Sequence, residues 1–227
     1  MTPKEACNHA MKYGPPEETR ESICESPYFA YFHARDVDKG PKEDTRNAVC
    51  REPEYAYRYA IDIDQCPRDD TREAACKHPE WACRYACDVD KKPREDTRKA
   101  ACKDPKCAYW YAKNVDKELR DDTREVACKA PLYAYCYAEV MDKCPREDTR
   151  NAACKDPLYA YWYALKVDKC PRDDTRKVAC KNPESAYYYA KDIDKEPRND
   201  TWMAVENTEY EREYKKFFND PIKELII

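Results

Sequence analysis

The chain has 227 residues and a net charge of −4, and 39% of its residues are charged, with acids and bases interspersed rather than gathered in a tail. Aromatic residues make up 12% of the chain and recur at fixed positions, which argues against a disordered protein. Only 2 glycines accompany 17 prolines, and this composition argues against an all-β fold with tight glycine turns.

The N-terminal stretch MTPKEACNHAMKYG lacks the apolar core of a secretory signal peptide. No later stretch approaches the roughly 18 apolar residues that a membrane-spanning helix requires. The 15 cysteines are an odd number, which favours free thiols over a framework of disulfides. We therefore expect a soluble protein of the cytoplasm, a reducing compartment, with no membrane partner.

An internal repeat of 26 residues organises the chain, and its frame holds from Thr19 to Thr201. Three columns define it. The threonines are Thr19, Thr45, Thr71, Thr97, Thr123, Thr149, Thr175 and Thr201; the cysteines are Cys24, Cys50, Cys76, Cys102, Cys128, Cys154 and Cys180; and the prolines are Pro27, Pro53, Pro79, Pro105, Pro131, Pro157 and Pro183. A strict period is typical of a solenoid, in which each unit covers the apolar face of its neighbour.

In chain order, residues 1–18 are predicted to be a partial repeat that caps the N-terminal end, with Met11 and Pro15 at the valine and proline positions. Residues 19–200 hold seven repeats. Residues 201–227 depart from the pattern, and the run ENTEYEREYKKFF predicts a longer, charged capping helix before a tail. The fold is therefore predicted to be all-α, an α-solenoid of about seven two-helix repeats with a C-terminal capping helix.

The first helix of each repeat, helix A, is represented by PRDDTREAACK. Pro67 is expected at its first position, where the missing N–H would have no partner in any case. Asp69 and Asp70 fall in the first turn, where the helix dipole favours negative charge. Pro79 is expected to end the helix.

The second helix, helix B, is represented by DPKCAYWYAKNVDK. Asp104 is expected as its N-cap and Pro105 as its first residue. One face has the spacing i, i+3, i+4, i+7 and is predicted to be buried: Ala108, Tyr111, Ala112 and Val115. Because 26 residues are few for two helices, one of the two is expected to be partly 3₁₀.

The string TRxAACKxP followed by YAxxVD resembles the leucine-rich repeat variant, a family with an arginine, small apolar residues and Asn-Pro at the same spacing. The positions that match best are Arg176, Val178, Ala179, Cys180, Asn182 and Pro183. The resemblance covers about half of each repeat, and this repeat is longer and has tyrosine where the family has leucine. It implies a right-handed superhelix of short α and 3₁₀ elements without catalytic residues.

One arginine of helix A recurs in six repeats, at Arg46, Arg72, Arg98, Arg124, Arg150 and Arg176. Carboxylates of the Asp64 and Asp70 type accompany it, so we interpret the column as a structural charge ladder. The alternative is a phosphate-binding ladder of a nucleic-acid-binding protein. Bases would then stack on a tyrosine column formed by Tyr57, Tyr109, Tyr135, Tyr161 and Tyr187. The acidic balance counts against this alternative.

The cysteine column lacks the closely spaced pairs that zinc requires, and stacked repeats would hold its members too far apart for disulfides. We interpret these cysteines as small buried residues, and Cys66, Cys144 and Cys170 as exposed thiols. Cys83, Cys87 and Cys107 would lie close together in the stack, and the sequence does not decide whether they bind metal. We predict no metal, no cofactor and no catalytic site, since 3 histidines and 2 glycines offer neither a triad nor a phosphate loop.

Positions that change from repeat to repeat are not required for packing one repeat on the next. In helix B they are spaced i, i+4, i+7. We call them the variable face: Glu54, Arg58, Ile61, Glu80, Arg84, Cys87, Lys106, Trp110, Lys113, Leu132, Cys136, Glu139, Leu158, Trp162, Leu165, Glu184, Tyr188 and Lys191. Its predicted binding residues are Arg58, Arg84, Trp110, Lys113, Leu132, Leu158, Trp162, Leu165 and Tyr188. The competing interpretation is a tolerated surface, or one buried against a neighbouring turn of the superhelix.

The sequence thus predicts a non-catalytic binding or scaffold protein with a protein partner, and nucleic acid as the alternative partner. Near-identical tandem units are frequent in viral and bacterial proteins that meet host or rival proteins, so a role as an inhibitor or sequestering factor would fit. The pattern does not identify the partner or the oligomeric state.

Overall fold

The structure is a computed structural model that describes residues 2–13 and 17–219. Within these ranges the chain consists of helices joined by short turns and has no β-strand. The structure does not describe the Met11 side chain. It also leaves out Pro15 and the tail from residue 220 to 227, so the roles predicted for these residues stay predictions.

The helices alternate along the chain in two series, preceded by α1 (Pro3–Tyr13). The helices A are α2 (Glu17–Cys24), α4 (Glu43–Val49), α6 (Asp69–Ala75), α8 (Glu95–Ala101), α10 (Asp121–Ala127), α12 (Glu147–Ala153), α14 (Asp173–Ala179) and α16 (Asn199–Val205). The helices B are α3 (Pro27–Asp36), α5 (Pro53–Tyr59), α7 (Pro79–Arg84), α9 (Pro105–Tyr111), α11 (Pro131–Tyr137), α13 (Pro157–Tyr163) and α15 (Pro183–Tyr189), and α17 (Glu211–Phe217) follows α16. Each helix B from α5 onward continues into a π-helical turn: Ala60–Asp64, Tyr85–Asp90, Ala112–Asp116, Ala138–Asp142, Ala164–Asp168 and Ala190–Asp194.

The chain divides into two compact units, Met1–Lys117 and Glu118–Ile227. Inside each unit, a helix B packs on helix A of the following repeat, as α3 does on α4 and α11 on α12. It also packs on helix B of the following repeat, as α5 does on α7 and α13 on α15. Stacking of one short unit on the next defines an α-solenoid, and the predicted fold class is confirmed.

From the second repeat onward, the core of each repeat combines small alanines with one large tyrosine, and in the first repeat His33 takes the tyrosine's place. The predicted buried face of α9 is confirmed, since Ala108, Tyr111 and Ala112 are 0% exposed and Val115 is 7% exposed. The fully buried tyrosines recur once per repeat, at Tyr59, Tyr85, Tyr111, Tyr137, Tyr163, Tyr189 and Tyr214. Alanines let neighbouring helices approach closely, and the rings then fill the remaining volume to the density of a protein interior.

The hydroxyl of the buried tyrosine holds the N-terminus of helix A. In the repeat with α6 and α7, the Arg68 N–H donates to Tyr85 Oη at 3.0 Å, and Tyr85 donates to the Arg68 carbonyl at 3.1 Å. The Thr71 hydroxyl lies 2.9 Å from the same Tyr85 oxygen. Arg68 is the N-cap residue of α6 and offers no side-chain cap. Tyr85 therefore partners a backbone N–H that the helix itself leaves unpaired.

The boundaries of helix A differ from the prediction. Asp69 and Asp70 lie in the first turn as expected, but Pro67 precedes the N-cap Arg68 instead of occupying the first helical position. Pro79 begins α7 rather than ending α6. The reason is local, because the residue before a proline is pushed towards extended backbone, and His78 has φ −131° and ψ 130°. Helix A has already ended at Ala75.

The expected 3₁₀ segment is also wrong, since the described residues contain no 3₁₀ helix and helix B ends in a wider turn instead. The Lys117 N–H bonds the Ala112 carbonyl five residues back at 2.8 Å, and Lys117 is left-handed with φ 56°. The wider turn returns both Val115 and Asp116 towards the body of the repeat, where Val115 is buried and Asp116 bonds Arg98. The predicted N-cap Asp104 is confirmed by its 2.9 Å bond from the Cys107 N–H.

The C-terminal capping helix is shorter than expected. Glu206 has φ −57° and ψ 133°, which ends α16, and Asn207 is left-handed with φ 62°. The capping helix α17 begins only at Glu211 and has 7 residues. Its buried Tyr214 lies 2.8 Å from the Thr201 hydroxyl, so this helix reproduces the tyrosine contact of the repeats.

Candidate functional site

The arginine ladder is engaged inside the repeats. Each arginine bonds the aspartate at the end of helix B of its own repeat, and these aspartate side chains are at most 2% exposed. The pairs are Arg46–Asp64 (2.6 Å), Arg72–Asp90 (2.9 Å), Arg98–Asp116 (2.6 Å), Arg124–Asp142 (3.2 Å), Arg150–Asp168 (2.6 Å) and Arg176–Asp194 (2.7 Å). Hydrogen bonding to Asp64 raises the pKa of Arg46 although burial opposes it.

Each ladder guanidinium also lies over the ring of the buried tyrosine of its repeat, for instance 5.7 Å from the ring centre of Tyr85 for Arg72. A buried pair of this kind gives little net stability, yet removing one partner leaves an uncompensated charge at a cost of about 3–5 kcal/mol. The ladder thus lies inside the repeat, with its charges already balanced by carboxylates, and presents little charge to a phosphate.

The tyrosine column offered as a base-stacking platform lies largely between the helices B. Tyr109, Tyr161 and Tyr187 are buried. The Tyr57 hydroxyl donates to Asp88 of the next helix B at 2.8 Å, and burial together with this bond raises the pKa of Tyr57 to about 12. Tyr135 is half-buried, with its ring 6.4 Å from that of Tyr159. These rings are used in packing repeats together, so the column is not an open platform for bases.

In the first unit, the predicted binding residues of the variable face point to solvent. Arg58 and Arg84 are exposed and each pairs with the glutamate one turn before it, at 2.8 Å for Glu54 and 3.0 Å for Glu80. Trp110 is 42% exposed, and the Lys113 ammonium lies 5.4 Å from its ring. The surface of this unit therefore combines one accessible indole with cationic side chains.

In the second unit, the predicted residues fall into two groups. Leu132 and Leu158 are 36% and 45% exposed. Trp162, Leu165 and Tyr188 are half-buried, because they pack against the core around Tyr161 and Tyr189. The side chains of the first group are accessible to a partner over much of their surface. Those of the second group are held by the core and would contact a partner only with their exposed parts.

Sequence reasoning did not find a groove in the first unit, between α7 and α9. It has a volume of about 430 Å³ and is lined by Glu80, Cys83, Arg84, Cys87, Asp88, Lys106, Cys107, Trp110 and Asn114. The signal was present in the sequence, because Cys83 replaces a tyrosine that the equivalent positions of other repeats keep, at Tyr31, Tyr57, Tyr109, Tyr135, Tyr161 and Tyr187.

Burial makes the thiols of Cys83 and Cys107 in this groove hard to ionise. Burial, with a smaller effect of Cys87, raises the pKa of Cys83 to about 12, and burial with the Asp104 hydrogen bond raises the pKa of Cys107 to about 12. Metal ions bind the thiolate form. Among residues 2–13 and 17–219, no group of three or more His, Cys, Asp or Glu side chains is placed to hold a metal ion.

The remaining cysteines are free as well. The column from Cys24 to Cys180 is half-buried rather than fully buried, because its members lie at the ends of helices A, as Cys76 does at the C-cap of α6. Burial is still enough to raise the pKa of Cys76 to about 11. Cys66, Cys144 and Cys170 are exposed, as the sequence predicted.

In the part of the chain that the structure describes, no helix combines the length and the apolar character needed to cross a membrane. Comparisons of the chain with protein-family models, with curated proteins and with solved structures find no match.

Proposed function

We propose that the protein is a non-catalytic repeat protein that recognises a protein partner through the variable face of helix B. The observation that carries this proposal is the exposure of apolar side chains on helices B in each unit, Trp110 at 42% in the first and Leu132 and Leu158 at 36% and 45% in the second, opposite a constant face of alanine and tyrosine. Exposed apolar patches mark protein-binding surfaces, and tryptophan is enriched among the residues that contribute most of the binding energy.

The scaffold supports this role because its constant network stays clear of the variable face. The Thr–Tyr contacts and the Arg–Asp pairs lie in the interior of each repeat. A side chain on the variable face can therefore change without breaking a bond of the architecture. Solenoids use this separation to evolve new binding surfaces on a constant frame.

A protein partner is favoured over nucleic acid by the same geometry. The ladder arginines are paired with buried aspartates, and Tyr109, Tyr161 and Tyr187 are buried. Nucleic-acid binding needs cationic side chains that are free to neutralise phosphates. The ladder does not supply them.

Three further elements belong to the proposal. A cytoplasmic, reducing location is supported by the 15 cysteines, all of which are free thiols. Kinship with the leucine-rich repeat variant is supported by the spacing of Arg176 and Pro183, while the π-helical turns are a departure from its short α and 3₁₀ elements. A role as an inhibitor or sequestering factor is consistent with exposed apolar side chains on helices B of both units.

The test is affinity capture from nuclease-treated lysate of the source cells with three forms of the chain. The face variant carries Trp110→Ala, Leu132→Ser and Leu158→Ser. The matched control carries Leu119→Ser and Met203→Ser, which remove exposed apolar side chains, 54% and 67% exposed, away from helix B. We expect a protein that is retained by wild type and control and lost by the face variant. Equal retention of the protein by all three forms contradicts the proposal. A parallel capture from untreated lysate that retains nucleic acid instead of a protein contradicts it as well.

A further inference from the structure

The groove between α7 and α9 exists because two aromatic side chains are missing from it. In three other repeats the tyrosine at the position of Cys83 packs against an aromatic side chain at the position of Cys107 in the next helix B. The ring centres are 6.0 Å apart for Tyr31–Tyr55, 5.5 Å for Tyr57–Trp81 and 6.4 Å for Tyr135–Tyr159. Between α7 and α9 both positions are cysteines, so the space of an aromatic pair stands open.

The size and walls of the groove suit an aromatic ring. Its volume of about 430 Å³ falls within the range of roughly 300–1,000 Å³ that is usual for ligand sites. Cys83 and Cys107 line it as neutral thiols, and sulfur makes favourable contacts with aromatic rings. Trp110 lines the groove and is 42% exposed, so its indole can pack against an incoming ring.

The groove also keeps a polar group where a phenol needs one. In three other repeats the tyrosine hydroxyl donates to an aspartate of the next helix B, at 2.6 Å for Tyr31–Asp62, 2.8 Å for Tyr57–Asp88 and 2.7 Å for Tyr161–Asp192. The equivalent residue in the groove is Asn114. Its Nδ2 donates to the Trp110 carbonyl at 2.9 Å, which leaves the amide oxygen as an acceptor.

The charge at the rim defines the surroundings of the ring. Glu80 and Arg84 neutralise each other at 3.0 Å, whereas Asp88 accepts the Tyr57 hydroxyl and keeps its negative charge. Lys106 and Lys113 are exposed and, among the described residues, form no ion pair. Two lysines, Lys106 in the lining and Lys113 over the Trp110 ring, face the single carboxylate of Asp88, so the net charge at this rim is positive and favours carboxylates beside the incoming ring.

We propose that the groove receives a tyrosine side chain from an acidic segment of the protein partner, which takes the place of the tyrosine that this repeat lacks. The inference rests on the proposed function and names the chemistry of the partner. The ring lies against Cys83, Cys107 and Trp110, its hydroxyl donates to Asn114, and flanking carboxylates meet Lys106 and Lys113.

The constant repeats supply a variant that fills the groove without disturbing the fold. Cys83→Tyr restores the residue found at six equivalent positions, and Cys83→Ala keeps the groove open. The probe is N-acetyl-tyrosinamide, followed through the indole N–H signal of Trp110 by NMR. We expect wild type and Cys83→Ala to bind it alike and Cys83→Tyr to bind at least about tenfold more weakly, a difference of about 1.4 kcal/mol. Equal binding by Cys83→Tyr, or no shift in wild type, overturns the inference.

Two comparisons with other probes test the polar contacts. N-acetyl-phenylalaninamide lacks the hydroxyl that Asn114 would accept, so it should bind more weakly than the tyrosine compound. Acetyl-Glu-Tyr-Glu-amide should bind more tightly than acetyl-Lys-Tyr-Lys-amide, and the difference should shrink as salt is added, because the Lys106 and Lys113 charges are screened. The reverse order of the two peptides contradicts the acidic segment.

Capture of the partner separates this inference from the proposed function. If Cys83→Tyr retains the partner and the face variant loses it, the binding face stands and the groove is not where the partner's tyrosine docks. If both variants retain the partner, the proposed function fails as well. Loss of the partner in both, with retention by Cys83→Ala, supports the two together.

Discussion

At the scale of single residues, one hydroxyl connects the two helices of a repeat. Tyr85 accepts the Arg68 N–H, donates to the Arg68 carbonyl and lies within hydrogen-bond distance of the Thr71 hydroxyl. This explains why threonine and tyrosine recur with the period of the repeat, and why the threonine column continues into α16. The threonine column is therefore a buried structural contact between the two helices of a repeat.

Replacing Tyr85 by phenylalanine should destabilise the first unit by about 1–3 kcal/mol, because the Arg68 N–H and the Thr71 hydroxyl lose a buried partner while the ring remains. The measurement is the urea midpoint followed by circular dichroism. Tyr55→Phe is the matched control, since this half-buried hydroxyl in the same unit has no such network, and it should leave the midpoint unchanged. Equal effects of the two changes would contradict the role of Tyr85.

A second residue-scale feature is the histidine that replaces this tyrosine in the first repeat. His33 is 0% exposed, and its Nδ1 lies 3.3 Å from Asp38 Oδ2. Burial lowers the pKa of His33 below its ordinary value, although Asp38 acts in the opposite direction. The folded protein therefore favours the neutral imidazole.

The pH dependence follows from that direction. Above about pH 6.5 the unfolded imidazole is neutral too, so the stability is fully present; as the pH falls below this value the unfolded state takes up the proton first, and stability is lost. We expect a larger loss between pH 7.5 and pH 5 for wild type than for His33→Tyr, whose other titrating groups are the same. Thermal midpoints measure both slopes. A wild type that becomes relatively more stable on acidification would show that the Asp38 contact outweighs burial.

At the scale of helices, the unpredicted feature is the end of helix B. Helix B is followed by a left-handed residue in every repeat, at Lys39, Gln65, Lys91, Lys117, Lys143, Lys169 and Lys195, and from Gln65 onward this residue closes the π-helical turn. Glycine or asparagine usually occupies such a left-handed position after a helix. Here the residue is lysine or glutamine, so the sequence gives no sign of the left-handed conformation. The sequence therefore showed where helix B stops, through its Val-x-Asp ending, but not the backbone geometry of the stop.

The left-handed lysines are strained, so replacing them can stabilise the protein. An L-residue in this conformation costs roughly 1–2 kcal/mol, and glycine avoids that penalty at the expense of about 0.5–1 kcal/mol of chain entropy. Lys91→Gly should therefore stabilise the protein by roughly 0.5–1 kcal/mol, seen as a higher urea midpoint. Lys92→Gly is the control, since its φ is not positive and the change should be neutral or destabilising. A lower midpoint for Lys91→Gly would argue against strain at this residue.

At the scale of the whole molecule, the period carried most of what could be predicted. The spacing of threonine, cysteine and proline gave the number and order of the repeats, because a strict period has few architectural solutions. The sequence also indicated which face of helix B would be buried. Two things needed three-dimensional structure: that Arg72 meets Asp90 of its own repeat, and that Cys83 and Cys107 face one groove. Both depend on distances between residues far apart in the chain.

If each repeat contacts only its neighbours, one repeat can be removed in phase. Deletion of residues 52–77 joins Arg51 to His78 and places α4 before α7. The contacts are then replaced by equivalents, with Asp90 taking the place of Asp64 beside Arg46 and Asp88 that of Asp62 beside Tyr31. We expect unchanged helicity per residue by circular dichroism and a lower urea midpoint, since a solenoid's stability is close to a sum over its repeats.

Deletion of residues 65–77 is the out-of-phase control. It removes α6 alone, so α5 with its π-helical turn runs directly into α7, and Tyr85 loses the Thr71 and Arg68 groups that its hydroxyl contacts. Half as many residues are lost, yet the damage should be greater, with lower helicity per residue and a broad transition. If the in-phase deletion were as disruptive as this one, the first unit would hold together through contacts beyond neighbouring repeats, and the nearest-neighbour architecture would be wrong.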